Sequence, residues 1–308
     1  MNKSDYTIRN YHPSDFDSYL LLLREAETQL PIGRPTSPHA LNERFSHPGY
    51  TPEEDIFVIE KDGELVGYAD IMPELSIKRA ILYCWIHPDH RLIGLARKLI
   101  DCASERAKKP GAEVLHVNIS EDNETAVKAL SRLGFQYVRR FLNLRLDMNS
   151  IEWQGIDRDS LGCRKMAPGE EDKLAIIQNR AFSDHWGYNP NTIEEITYDA
   201  TRMDHSQDDI IVSCDGDKFI GYCWTEVAEG NTPDEGKGQI YMIGSDPDYR
   251  GTGAGKRVLL AGLAHLKTRG VPVTELTVDS ENEIACALYE STGFEVTSSS
   301  LWYEKVIE

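Results

Sequence analysis

The chain has 308 residues, of which 40% are hydrophobic and 27% are charged, so we expect a soluble globular protein with two domains. The formal net charge of −18 argues against nucleic-acid binding, which needs a basic surface. It fits a solvated acidic surface, and it weakly favours cationic substrates such as amines. The six cysteines are scattered without a CxxC pair, which predicts a reducing cytoplasm and neither a disulfide framework nor a metal site. Neither a basic secretory start nor an apolar run of about 20 residues is present, so we expect no membrane partner.

The predicted elements follow the same order in each half of the chain. A short strand precedes a helix that begins near Pro13 in the first half and near Pro168 in the second. Next comes a hairpin with an Asp-Gly turn, at 55–71 and 209–227. The remaining elements are a strand, a long helix, a strand, a short helix and a last strand, at 80–86, 91–108, 114–119, 122–132 and from 135, and again at 239–244, 250–268, 273–278, 281–291 and from 294. This order predicts an α/β fold, with a mixed β-sheet and helices on both faces in each half.

An internal repeat sets the expected domain count. Residues 88–98 read PDHRLIGLARK, and residues 247–257 read PDYRGTGAGKR, at an offset of 159 residues. The same offset relates Asn123 to Asn282 and the pair Gly134-Phe135 to Gly293-Phe294. A constant offset over separate blocks indicates a duplication. We therefore predict two tandem domains, residues 1–150 and residues 151–308, that meet in a polar stretch.

The segment 250–256 is a glycine-rich turn between a strand and a helix. It consists of Arg250, Gly251, Thr252, Gly253, Ala254, Gly255 and Lys256. Glycine lets the backbone take unusual dihedral angles, and the first helical turn offers unpaired amides and partial positive charge, so the segment predicts a phosphate-binding site. A Walker A loop is excluded because Arg250 stands where it needs glycine and Arg257 where it needs serine or threonine. The dinucleotide pattern GxGxxG fails at Lys256.

A second block, residues 282–294, predicts a short helix that ends in a glycine cap before the last strand. Its pattern is Asn-x-x-Ala-x-x-x-Tyr-x-x-x-Gly-Phe, and Asn282 fits both a helix cap and a ligand contact. Together with Arg-x-x-Gly-x-Gly at 250–255, this block resembles the GCN5-related N-acetyltransferase (GNAT) family. The first copy fills the first motif with Arg91, Gly94 and Ala96, and the resemblance covers nearly the whole chain.

The resemblance implies an acyltransferase that uses acetyl-CoA and has a splayed sheet to hold it. The pyrophosphate of coenzyme A would lie on the turn, and its pantetheine arm beside the preceding strand, at Ile243, Gly244 and Ser245. Tyr289 matches the family's tyrosine that protonates the departing thiolate. The first copy has Leu130 there, and β-branched Ile93 stiffens its turn. We therefore predict a catalytic C-terminal domain and a degenerate N-terminal one, kept for structure or as a second coenzyme A site.

The base and the acceptor site are less determined by the pattern. Glu226 ends one strand of the hairpin and Gln239 begins the next, so we expect them to face each other, with Glu226 as the base and Gln239 at the acceptor. Asp184, His185 and Trp186 follow the first helix of the second copy, where the family usually builds its acceptor site, and suit an amine by charge, hydrogen bond and cation–π contact. His185 is an alternative to Glu226 as the base. A solvated glutamate and a helix-end cluster are the simpler alternatives.

Two classes of function fit the sequence. The first is an acetyl-CoA-dependent N-acetyltransferase that acts on a primary amine, with a small molecule expected as acceptor and protein N-termini or lysines as alternatives. The second is a non-catalytic acyl-CoA-binding or regulatory protein. Tyr289 beside a complete turn motif favours the enzyme. One tandem subgroup of the family carries lysine and glutamate where this chain has Glu226 and Gln239, so that subgroup's acceptor is not carried over.

Overall fold

The computed structural model describes residues 6–29, 36–201, 207–228 and 236–307, and the chain divides into two compact units. The first unit consists of Met1–Val138 and Leu301–Glu308, and the second unit is Arg139–Ser300. Within those described ranges, no helix combines the length and the apolar character that crossing a membrane requires.

The first unit contains a sheet in which four antiparallel strands lead to a parallel pair. The order is β1-β2-β3-β4-β5, and only β4 and β5 are parallel. Its elements are β1 (Tyr6–Asn10), α1 (Phe16–Gln29), α2 (Pro38–Phe45), α3 (Pro52–Asp55), β2 (Ile56–Lys61), β3 (Glu64–Glu74), β4 (Arg79–Ile86), α4 (Leu95–Lys108), β5 (Val114–Ser120), α5 (Glu124–Arg132) and the start of β6 (Gln136–Asp147). Helix α4 packs its buried leucines and alanines on one face of this sheet, and α1 covers the other face.

The second unit repeats this arrangement. Its strand order is β7-β8-β9-β10-β11-β6, in which β10 and β11 are parallel and the other neighbours are antiparallel. After β6 its elements are β7 (Cys163–Lys165), α6 (Glu171–Ala181), α7 (Ile193–Thr201), β8 (Ile210–Asp215), β9 (Lys218–Ala228), β10 (Lys237–Ser245), α8 (Ala254–Thr268), β11 (Val273–Asp279), α9 (Glu283–Thr292) and β12 (Glu295–Val306). The expected mixed sheets with helices on both faces are confirmed.

The last strand of each repeat is divided between the compact units. Residues 141–147 of β6 pair with β11 in the second unit. Residues 301–307 belong to the first unit, where Tyr303 and Ile307 lie in the core and the Ile307 amide donates to the Glu113 carbonyl (3.0 Å). The compact units therefore group residues differently from the sequence repeats. The domain boundary at 150/151 stays a prediction drawn from the repeat.

Strand β9 separates two apolar layers of the second unit. Tyr222 and Trp224 point to the layer under α6 and α7, while Cys223 points to the layer under α8. Helix α8 lies close on the strand because Gly262 has no side chain: a Cβ there would lie 2.4 Å from the Cys223 Sγ. This contact, with buried Val258, places the N-terminus of α8 at the end of β10.

Candidate active site

The two parallel strands of the second unit separate at their carboxyl ends. Strands β10 and β11 are paired only where Lys237–Gln239 meets Val273–Glu275, although β10 continues to Ser245 and β11 to Asp279. Strands β4 and β5 of the first unit behave in the same way, with three paired residues each. The splayed sheet implied by the family resemblance is therefore present in both units. The opening leaves backbone groups of β10 beyond Gln239 available on the side that faces β11.

The glycine-rich turn lies at the end of this opening. Gly251 and Gly253 have positive φ angles of +77° and +85°, which glycine tolerates without strain. The first amide of α8 to bond back along the chain is that of Arg257, which donates to the Gly253 carbonyl (3.0 Å). The amides of residues 253–256 precede that bond, so the helix start presents donors and partial positive charge. The predicted anion cradle has the required backbone conformation.

Ser245, at the end of β10, lies beside this helix start. A Cβ built on Gly255 would be 3.9 Å from the Ser245 Oγ, so strand end and cradle adjoin. Gly244 is fixed by packing: a Cβ there would lie 2.8 Å from the Ala181 Cβ. Ile243 is half-buried against the core. These three residues therefore lie on the edge of the opening, as the sequence predicted for the strand, and the glycine has a structural reason of its own.

Arg250 and Asp184, which the sequence assigned to different ligands, bind each other. The Arg250 guanidinium donates to both carboxylate oxygens of Asp184 (2.9 and 3.1 Å) and to the Ala181 carbonyl (2.9 Å). These hydrogen bonds from Arg250 hold the pKa of Asp184 below its usual value. The side chain of Thr252 is also committed, since its hydroxyl donates to the Tyr249 carbonyl (2.7 Å). The pair ties the end of α6 to the turn.

His185 and Trp186 continue from this ion pair toward the end of β11. The His185 ring packs edge-on against Phe182 (4.7 Å between centroids), and burial lowers the pKa of His185. The Trp186 ring lies under the Arg139 guanidinium (5.4 Å), which is itself paired with Asp279 (3.6 Å). Segment 184–186 thus runs from the turn after β10 to the end of β11. It therefore borders the opening between β10 and β11.

Tyr289 is buried on α9, with its ring edge-on to Phe294 (5.8 Å between centroids). In the described part of the chain its hydroxyl has no hydrogen-bond partner. Burial raises the pKa of Tyr289 well above its usual value, so the phenol stays protonated at neutral pH. Asn282 caps α9, because its Oδ1 accepts from the Ala285 amide (3.1 Å). Capping alone therefore explains this asparagine.

Glu226 and Gln239 lie directly opposite each other in the pairing of β9 with β10, as predicted. Glu226 is half-buried with its Oε1 shielded from solvent, and Gln239 is exposed. A bulge at Tyr241 follows, where the register shifts by one residue. The carboxylate is thus held on the sheet face that carries Trp224. Two buried polar side chains of this layer were not among the predicted site residues: Tyr222 on β9 and Gln178 on α6. A glutamine at an apolar helix position was the one visible signal in the sequence.

The first unit keeps the backbone of the turn but different side chains. Gly94 has a φ of +87°, and Leu92, which corresponds to Gly251, adopts a left-handed φ of +66° although it is not glycine. Arg91 donates from Nε to the Ile86 carbonyl (2.7 Å). Leu130, at the position of Tyr289, is buried and offers no proton. Ala96 is half-buried in the first turn of α4.

A splayed parallel strand pair that opens onto a helix start rich in free amides suits an extended ligand that carries a phosphate group. Residues 20–135 and 174–294 match the model of the acetyltransferase (GNAT) family, and the chain belongs to that family. It is an N-acetyltransferase that takes its acetyl group from acetyl-CoA. The residues present fit this donor, because the cradle supplies amides for a diphosphate and β10 supplies an open strand edge.

Three known proteins illustrate the relationship. A mycothiol acetyltransferase from Amycolatopsis mediterranei (strain U-32) is 31% identical over 286 residues, which is 91% of each chain. A GCN5-related N-acetyltransferase from Sphaerobacter thermophilus is 20% identical, with a TM-score of 0.74 over 100% of this chain and 98% of that one. A tandem GNAT protein from the clavulanic acid biosynthesis pathway is 16% identical, with a TM-score of 0.71 over 99% of both chains.

Proposed function

We propose that the second repeat of this chain acetylates the primary amine of a small molecule, with Tyr289 as the proton donor to the leaving group. The observation that carries the proposal is a buried, protonated phenol without a protein partner in the unit whose cradle has glycine at both left-handed positions. The first repeat has the corresponding turn but no proton donor at Leu130. We therefore assign it a structural or secondary binding role.

Donor binding is assigned to the backbone more than to side chains. Acetyl-CoA supplies a thioester whose diphosphate suits the amides at 253–256 and the partial positive charge of α8. Backbone groups at Ile243–Ser245 are placed to bind an extended arm as an added strand would. The other groups assigned to the donor are Arg250, Gly251, Thr252, Lys256 and Asn282, with Arg91, Gly94 and Ala96 in the first repeat.

The acceptor amine must lose its proton before it attacks, and we assign the base to Glu226. Its carboxylate lies opposite Gln239 and attracts an ammonium group while its Oε1 is shielded from water. A base of this kind acts directly or through a water molecule. Gln239, exposed on the next strand, is assigned to acceptor contact, and so is the segment Asp184–Trp186, whose Asp184 must share its charge with Arg250.

The acceptor is proposed to be a small amine because the relative named above is a mycothiol acetyltransferase and matches most of the chain. The tandem subgroup's lysine and glutamate are replaced here by Glu226 and Gln239, which reverses one charge and removes another. We therefore expect an acceptor of more cationic character than that subgroup's. The scattered cysteines, unpaired in the structure's described part, are consistent with action in a reducing cytoplasm.

A thiol-release assay with acetyl-CoA and a panel of primary amines tests the proposal. Tyr289→Phe should lower kcat by about 100-fold or more, since a general acid contributes that much, while the KM for acetyl-CoA stays the same. Tyr303→Phe removes the hydroxyl of a similarly buried tyrosine in the first unit and should leave kcat unchanged. Unchanged turnover in Tyr289→Phe would refute the assignment, and coenzyme A binding without release under any amine would favour a sensor.

A further inference from the structure

Gln178 is a polar side chain at a core position of α6. It is 0% exposed and lies beside buried Ile177 and Ala181. The first repeat has Leu23 at the corresponding position, at an offset of 155 residues. The Gln178 Oε1 accepts from the Asn191 Nδ2 (3.0 Å), but its Nε2 is buried and has no hydrogen-bond partner in residues 6–29, 36–201, 207–228 and 236–307. An apolar side chain would fill this position at lower cost.

Tyr222 on β9 presents a second buried donor of the same kind. The residue is 0% exposed, and its hydroxyl is buried with no hydrogen-bond partner among the described residues. The Tyr222 ring packs directly against Gly244 on the neighbouring strand. A Cβ built on that glycine would lie only 3.0 Å from the Tyr222 Cε1. Tyr19 in the first unit shows the usual treatment of a fully buried tyrosine: its hydroxyl donates to the Asp70 Oδ2 (3.1 Å).

Both donors belong to one group of polar side chains, which we call the α6 polar cluster: Gln178, Asn179, Tyr188, Asn191 and Tyr222. The Asn191 Nδ2 that bonds Gln178 also donates to the Tyr188 hydroxyl (3.3 Å), and that hydroxyl donates to the Asn179 Oδ1 (2.9 Å). Tyr222 packs beside this part of α6, because a Cβ built on Gly244 would lie 2.8 Å from the Ala181 Cβ and 3.0 Å from the Tyr222 Cε1. Gln178, Asn179, Tyr188 and Asn191 are thus bonded to one another, and two donors of the cluster have no partner among the described residues: the Gln178 Nε2 and the Tyr222 hydroxyl.

The cluster adjoins the reaction centre. Tyr222 pairs with Gly244, on the strand edge assigned to the donor, and Trp224 and Glu226 follow it at alternate positions on the same face of β9. A ligand that pairs with the unpartnered donors would lie on the sheet face that carries the assigned base.

We propose that the Tyr222 hydroxyl and the Gln178 amide bind an oxygen atom of the acceptor, which is therefore a primary amine that also carries a hydroxyl or carbonyl oxygen. Both unpartnered atoms donate, so the complementary group is an acceptor of hydrogen bonds. A site built to bond such an oxygen discriminates strongly against analogues that lack it, because its own buried groups would stay unpaired. This inference rests on the proposed function, since it names the acceptor class of the same site.

Thermal unfolding of the ligand-free protein tests the unpartnered state without any activity. Tyr222→Phe removes a buried donor that has no protein partner, and should raise Tm by about 2–4 °C; Gln178→Leu also removes the bond from the Asn191 Nδ2 and should raise Tm by less. Tyr19→Phe, which removes a hydroxyl of equal burial that is bonded to Asp70, should lower Tm. If Tyr222→Phe lowers Tm as Tyr19→Phe does, the Tyr222 hydroxyl is satisfied within the protein and the inference is overturned.

A matched pair of amines, trans-2-aminocyclohexanol and cyclohexylamine, tests the specificity. The wild-type protein should prefer the amino alcohol, and Tyr222→Phe and Gln178→Leu should lower kcat/KM for it at least 10-fold while leaving that for cyclohexylamine unchanged. Tyr68→Phe, the equivalent tyrosine of the first repeat, is the control and should keep the preference. Equal losses for both amines, or none, overturn the inference. Absence of turnover with any amine would instead count against the proposed function, and the Tm comparison would still decide this one.

Discussion

Asp246 anchors the segment that leads from β10 into the glycine-rich turn, and its removal is the sharpest test of how the cradle is held. Its side chain is 0% exposed and accepts two hydrogen bonds from Arg180 on α6 (2.9 and 3.0 Å). It also forms an ion pair with Lys218 on β9 (2.9 Å). It also accepts from the Asp248 amide (3.0 Å), which starts the turn. One carboxylate thus joins three elements around the cradle.

Asp246→Asn keeps the shape and removes the charge. Loss of one partner of a buried ion pair costs about 3–5 kcal/mol, but Arg180 and Lys218 are 42% and 45% exposed and regain water. We therefore expect a loss of about 2 kcal/mol in the free energy of unfolding, or about 4–8 °C in Tm, at pH 7. Asp248→Asn is the control: it pairs with the same arginine (2.9 Å) but is 69% exposed, and should cost at most about 0.5 kcal/mol.

The stability difference between the wild-type protein and Asp246→Asn should also change with pH in a defined direction. Hydrogen bonds from Arg180 hold the pKa of Asp246 well below its usual value, so the folded state keeps the charge where the unfolded chain binds a proton. The stabilisation is complete above about pH 4 and is lost as the pH falls through the folded-state pKa. Urea unfolding of the wild-type protein and Asp246→Asn from pH 7 to pH 2 should show a difference in the free energy of unfolding that shrinks only below about pH 4. An equal stability at pH 7, or a difference that grows in acid, would contradict the reasoning.

Three further predictions concern the turns, the α8 contact and the acid. Gly251→Leu should cost about 1 kcal/mol of stability and raise the KM for acetyl-CoA, while Leu92→Gly, which relieves the same left-handed strain, should not destabilise the protein in denaturant titrations. Gly262→Ala should lose about 1–3 kcal/mol through its clash with the Cys223 Sγ, and the double variant with Cys223→Ala should recover part of it. Because the pKa of Tyr289 is raised, the rate should show no decline from phenol ionisation up to about pH 10, and a fall with a midpoint near pH 9 would count against this acid.

Sequence patterns predicted the helices, strands and turns whose conformation depends on neighbouring residues. The repeat, the Asp-Gly hairpins and the glycine turn each follow from backbone preferences within a few residues, and the register confirms that Glu226 faces Gln239. The bond between Arg250 and Asp184 was not predictable, because it joins residues 66 positions apart and each side chain also suits a ligand. Gly244 was assigned to the donor as part of the strand before the turn, whereas the packing of Ala181 and Tyr222 already requires a glycine there.

The division of the last strands between the two compact units could not be predicted from the sequence, for a different reason. An internal repeat shows which segments correspond, but two equivalent sheet edges accept either copy of the same strand, and the apolar pattern does not distinguish them. The unpartnered donors of Tyr222 and Gln178 likewise depend on what surrounds them in three dimensions. Only the mismatch between Gln178 and the corresponding Leu23 was present in the sequence.

The regrouping of residues 301–307 has a consequence for biosynthesis. Tyr303 and Ile307 complete the core of the first unit, yet the ribosome adds them only after the whole second unit has been synthesised. The first unit therefore keeps an open apolar surface during about the second half of translation, a condition that favours capture by chaperones. A nascent chain stalled before Leu301 should be far more sensitive to protease in residues 56–117 than the released protein.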